Sequence, residues 1–248
     1  MRYCIFTIIR KEFDLINFEE FIRSLSDTVG DYFFLVISAV KKDIEGILKS
    51  NGIRDFYVLH NCVDPGLVTL INQGLSYGVE KFKYSIYINS SKSLVTSKNW
   101  LEEINFRISE KKDFSLGGSV KPLKITFGNE FNKILYSINR RDPSWISRCT
   151  NKLMITNFVD GNIFITDNSK LKQVGLLDNR YHSEKNFSIA LSLKFLEKGL
   201  SLTDIDSIYS STKDSMRHDI GNVIKAGAKI VCPVIIRSVR QRILEARV

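Results

Sequence analysis

The sequence predicts a single α/β domain with a mainly parallel central sheet flanked by helices. Short apolar runs alternate with amphipathic helical stretches over the first ninety residues. Such alternation is what crossover helices between parallel strands require. The 248 residues also carry only 4 prolines and show no low-complexity linker, so one compact body is expected.

The elements follow in order. Residues 3–9, YCIFTII, form an apolar run bounded by charge and suit a buried strand. Phe18, Phe21, Ile22 and Leu25 fall at helical spacing. DYFFLVISAV at 31–40 is rich in aromatic and β-branched residues and is the second strand. KKDIEGILKSNG reads as a helix closing at Gly52, and FYVLHN as the third strand. PGLVTLINQGLSYGVEKF is helical from Pro65, since proline suits a first turn. KYSIYINS is the fourth strand. From 110 to 150 the pattern is strand and loop, with Gly117-Gly118 read as a hairpin turn. NIFIT near residue 162 is strand-like, and NFSIALSLKFLEKG is a helix closing at Gly199. Three regions are expected within the one domain: 1–100, 101–210 and a basic segment at 211–248.

In parallel sheets ligands bind beyond the carboxyl ends of the strands, so the informative loops follow Ile9, Val40, His60 and Asn89. The formal net charge of +9 favours an anionic partner such as a nucleotide, a membrane surface, a nucleic acid or an acidic glycan. It equally serves solubility. The terminal stretch with Arg237, Arg240, Arg242 and Arg247 reads as a docked basic helix or as a peripheral membrane contact. No run approaches the roughly 18 to 20 apolar residues that span a bilayer. The N-terminus lacks the features of a signal peptide, and Cys4, Cys62, Cys149 and Cys232 form no paired motif. A cytoplasmic protein is expected. P-loop, dinucleotide-binding, zinc-protease and nucleophile-elbow motifs do not occur.

Three segments resemble, in order, the family 2 glycosyltransferases of the GT-A fold. NCVDPGLVTLINQGLSYG carries Asn61, Gly66, Asn72 and Gly74 in a pattern similar to the family's, on a helix that in the family lies beside the donor nucleotide. YSIYINSSKSLVTSKNWLEEI resembles the strand and loop of the acidic metal-binding motif, followed by a helix that starts near a tryptophan. GNIFITDNSKLKQVGLLDNRYHSEKNFSIALSLKFLEKG resembles the acceptor side, with its glycine-led strand and the helix that follows the catalytic acid. The resemblance covers roughly residues 3 to 200. It implies transfer of a sugar from a nucleotide-sugar donor to a hydroxyl, with inversion, by a nucleotide-sugar-binding half at 1–100 and an acceptor and catalytic half at 101–210. The acceptor would be a glycan or a modified base in DNA.

The sequence departs from this pattern at three places. Where the family has aspartates that hold Mn2+ or Mg2+, it has Asn89-Ser90-Ser91-Lys92, which makes a tightly held metal doubtful. Lys92 would supply positive charge directly, or merely solvate a loop. The loop after the second strand offers Ser38 and a displaced Asp43 to the nucleoside, and Asp43 suits a first helical turn equally well. The catalytic pair falls on Ser183-Glu184, with Glu184 as the general base or as a helix-dipole partner, on a helix about one turn longer than the family's. The resemblance thus implies donor contacts from Ser38, Asp43, Asn61, Asn72, Ser91 and Lys92. Arg217 and His218 would serve the diphosphate, and Asp160 and Gly161 the acceptor, although Asp160 also suits an ordinary turn. The missing acidic motif leaves a rival from another class: a GT-A-like module that binds a nucleotide, glycan, nucleic acid or protein without catalysis.

Overall fold

The computed structural model describes residues 2–95, 97–125, 154–177, 187–205 and 209–211. The elements are β1 (Tyr3–Ile9), α1 (Asp14–Ser26), β2 (Tyr32–Ser38), α2 (Ile44–Ser50), β3 (Phe56–His60), α3 (Leu67–Lys81), β4 (Tyr84–Ile88), β5 (Ser93–Val95) and α4 (Trp100–Ser109). Then come β6 (Leu116–Ile125), β7 (Met154–Asp167), α5 (Asn168–Val174), α6 (Phe187–Glu197), β8 (Leu202–Asp204) and β9 (Tyr209–Ser211). Seven strands form one sheet in the order β3-β2-β1-β4-β7-β6-β8, and β5 pairs with β9 in a separate ribbon. Every neighbour pair in the main sheet is parallel except those made by β7, which runs against both β4 and β6.

The first strands are buried on both faces, which is why they read as unbroken apolar runs: all seven residues of β1 and all five of β4 are buried. One face of the sheet packs against Phe18, Phe21, Ile22 and Leu25 of α1, Ile44 and Leu48 of α2, and Trp100 and Ile104 of α4. The opposite face packs against Val68, Ile71 and Leu75 of α3, Leu171 of α5, and Phe187, Leu191 and Phe195 of α6. The result is a three-layer α/β/α body. Cys4 is sealed inside it, and burial pushes its thiol up to about 12.

Three local features differ from the sequence reading. Gly117 and Gly118 do not turn a hairpin; they lie within β6, and the register against β7 breaks between Gly118 and Val120. Gly118 has φ +156°, and a Cβ there would sit 2.8 Å from the Ile163 carbonyl, so close approach of β7 is the reason for glycine. Helix α3 begins at Leu67, after the left-handed Gly66 at φ +93°, rather than at Pro65. Helix α5, with its Asp167 cap, and strand β5 carry too few residues to show a period. No described helix is long and apolar enough to cross a membrane.

Candidate functional site

The site is built at the carboxyl ends of the first four strands, which finish nearly level. The register pairs Ile9 with Ser38 and Ser38 with His60. Beyond the strands, the Ala39 amide donates to the Ile9 carbonyl (2.8 Å) and the Asn61 amide to the Ser38 carbonyl (2.7 Å). On the other side, Thr7 donates to the Ser90 hydroxyl (3.0 Å), and the Asn89 amide donates to the Asn162 carbonyl of β7 (2.8 Å). A continuous line of hydrogen bonds therefore ties the loops of β3, β2, β1 and β4 to β7.

The loop after β4 is folded on itself. Asn89 Oδ1 accepts from the Ser91 amide (3.2 Å) and the Ser91 hydroxyl (2.7 Å), and its backbone carbonyl accepts from the Lys92 amide (3.0 Å). Asn side chains commonly fix such turns. Asn17 of α1 donates to the Ser91 carbonyl (3.0 Å). Ser90 is buried against Thr7, and Lys92 stands half-buried at the start of β5. These residues do not suit a tightly held divalent cation. Asn89 Oδ1 is engaged inside the loop and the Ser90 hydroxyl by Thr7 of β1, every oxygen on offer is neutral, and Lys92 follows directly. No cluster of three His, Cys, Asp or Glu that could hold a metal occurs among the described residues.

The other loops carry Arg10 and Lys11 after β1 and Lys41 and Lys42 after β2. Their acids are engaged locally. Asp14 accepts from the Arg10 and Lys11 amides (2.9 and 3.0 Å), and Asp43 caps α2 through the Gly46 amide (2.8 Å). Arg10 donates from Nε and Nη2 to Asp64 Oδ2 (2.9 and 2.7 Å), while Asp64 Oδ1 accepts from the Gly66 amide (2.9 Å). The Arg10 guanidinium holds the Asp64 carboxyl below the usual carboxylate range. Arg10 and Asp64 lie 54 residues apart and escaped the sequence reading. An arginine directly after a fully buried strand was the available signal.

The remaining expected donor residues are placed as follows. Ser38 is buried, and its hydroxyl closes a turn with the Val40 amide and carbonyl (3.2 and 3.1 Å). Asn61 exchanges two amide hydrogen bonds with Gln73 (3.2 and 3.1 Å). Asn72 accepts from the Leu177 amide (3.0 Å) and donates to the Leu177 carbonyl (2.7 Å). Gly74 meets the ring of Phe6, so the helix lies directly on β1. The Asn61-to-Gly74 pattern thus fixes α3 to the strand ends and to the chain leaving α5. Replacing Asn72 with alanine strands both Leu177 backbone groups and is expected to cost about 1 to 3 kcal/mol, read as a lower urea midpoint at unchanged slope.

On the acceptor side, β7 spends five steps from Val159 to Phe164 where β6 spends two from Gly118 to Val120. Asp160, Gly161 and Asn162 therefore form a bulge, a device common beside active sites. Asp160 accepts from the Asn162 amide (3.0 Å) and pairs with Lys121. A Cβ on Gly161 would come 3.2 Å from both the Phe187 ring and the Ser188 hydroxyl, so the bulge seats on the first turn of α6. Asp160 keeps its turn-forming hydrogen bond, but within a strand. Glu184, Arg217, His218 and the basic segment at 211–248, apart from Ser211, lie outside the described residues.

A mainly parallel α/β sheet with its loops gathered at the carboxyl ends belongs to the class of architectures that bind ligands beyond the strand ends. Comparison with solved structures narrows it. The chain is similar to the mannosyltransferase PcManGT from Pyrobaculum calidifontis, solved with GDP-Man and Mn2+, at TM-score 0.60 and 9% identity over 96% of this chain and 64% of that one. It is similar to S. aureus TarS at TM-score 0.56 and 12% identity, over 86% of this chain and 37% of that one. It is also similar to glucosyl-3-phosphoglycerate synthase from Mycobacterium tuberculosis, solved with Mn2+, UDP and phosphoglyceric acid, at TM-score 0.51 and 12% identity, over 86% and 70%. The protein has a GT-A-like glycosyltransferase fold. No family model and no curated protein matches the sequence. The chain spans under two thirds of the length of PcManGT and of TarS.

Proposed function

We propose that this chain transfers a sugar from a nucleotide-sugar donor to a hydroxyl of a glycan acceptor, with inversion. The observation that carries the reading is the fold: the sheet, with its one antiparallel strand beside β4, matches solved nucleotide-sugar transferases over most of the chain. The donor nucleotide lies over the loops at Arg10, Ser38, Asn61 and Ser91, and the acceptor lies against the Asp160–Asn162 bulge. In the reaction the acceptor hydroxyl oxygen bonds to the anomeric carbon as the bond from that carbon to the diphosphate oxygen breaks. The hydroxyl proton passes to the Glu184 carboxylate, and the nucleoside diphosphate leaves with the bonding electron pair. Arg217 and His218 are assigned to the diphosphate. Asp43, Asn61 and Asn72 act by shaping the loops, since their side chains are bonded to the fold itself.

The test is release of nucleoside diphosphate from a panel of nucleotide-sugars, with and without candidate glycan acceptors. Acceptor-stimulated release from one donor is expected and would name that donor. The neutral Asn89-to-Ser91 loop favours a second reading, a binding module that has lost catalysis. Saturable donor binding with no turnover would establish that reading instead.

A further inference from the structure

We infer that two side-chain cations, Lys92 and Arg10, hold the donor's diphosphate in place of a divalent ion. This rests on the donor-site reading above and says how that site is charged. In the donor reading the loop after β4 stands where a cation would be needed, yet its oxygens are neutral, Asn89 Oδ1 is taken up by Ser91 and the Ser90 hydroxyl by Thr7, and Lys92 closes the loop. Each candidate cation belongs to a loop that the fold anchors. Lys92 is anchored through its amide to Asn89, on a loop that Asn17 holds by the Ser91 carbonyl. Arg10 directly follows β1, whose neighbours in the sheet are β2 and β4, so it emerges between their loops. Asp64 fixes its guanidinium through two donors. A guanidinium already held loses little freedom when a ligand arrives, and guanidinium and ammonium groups are the usual protein ligands of phosphate. Lys11, Lys41 and Lys42 on the flanking loops add to the positive field.

Titration calorimetry of UDP and GDP into the intact chain, in EDTA and in excess Mn2+, tests this. The dissociation constant of the bound nucleotide is expected to agree within about threefold between the two buffers. It should weaken about tenfold or more in Lys92→Met and in Arg10→Gln, while Lys92→Arg restores most of the affinity. Melting curves of each variant separate lost binding from lost fold. In the unaltered protein affinity should also fall with added salt, as for a ligand held by charge. Binding that needs Mn2+ would overturn the inference and leave the donor reading standing. Binding to neither nucleotide in either buffer would remove the donor reading, and this inference with it.

Discussion

Glu184→Gln is expected to lower sugar transfer by about a hundredfold to ten-thousandfold while leaving donor binding intact. The glutamine keeps the size of the side chain and removes its ability to take a proton. A positioned general base contributes only as the acceptor hydroxyl attacks, so the loss belongs in turnover and not in donor affinity. Calorimetry with the nucleotide and a single-turnover transfer assay on the same preparation separate the two. A variant with unchanged turnover would move the base elsewhere, and Asp160 would be examined next. Its carboxylate sits on the β7 bulge, which packs on the first turn of the helix that follows Glu184.

The largest stability effect is expected at Phe6. Its side chain is fully buried in β1, with ring centroids 5.3 Å from Tyr87 and 6.4 Å from Phe164, and the backbone of Gly74 closes the remaining side. Phe6→Ala removes the ring that seats α3 and leaves a cavity with no side chain at Gly74 able to fill it. A loss of about 3 to 5 kcal/mol is expected. For a chain of this length that corresponds to a melting point lower by roughly 10 °C. A calorimetric scan checks it. A shift of only a degree or two would mean that α3 does not bear on β1 as described.

The fold was readable in the sequence wherever burial is continuous. YCIFTII and YSIYI stand out because a strand covered on both faces contains little but apolar residues. Helix α1 showed its inward stripe in Phe18, Phe21, Ile22 and Leu25, all buried on one face of the sheet. Where elements are short or irregular the signal failed. Ser93–Val95 is too brief to show a period, and Gly117-Gly118 fits a tight turn as well as it fits a strand pressed against Val159 and Ile163.

The candidate site was readable only in part. Its expected place at the strand ends followed from the mainly parallel sheet, which the alternation of elements was enough to suggest. What each polar residue does there depended on partners far along the chain. Nothing near Asn72 points to Leu177, 105 residues away. Likewise, nothing near Arg10 points to Asp64. Asp43 was open between nucleoside contact and a first helical turn, and the structure puts it one step earlier, as the N-cap whose carboxylate accepts from the Gly46 amide.

The single reversed strand has one more consequence. β7 belongs to the second half of the sequence, yet it is hydrogen-bonded along β4, and its Ile163, Phe164 and Ile165 fill the cores on both faces of the sheet. Cutting the gene between α4 and β6 would therefore not release a self-sufficient nucleotide-binding piece. The N-terminal fragment would end its sheet at β4, a fully buried apolar strand turned into a bare edge. Such edges recruit other chains, so the fragment should be collected as aggregate, and should become tractable only when the second half is supplied with it.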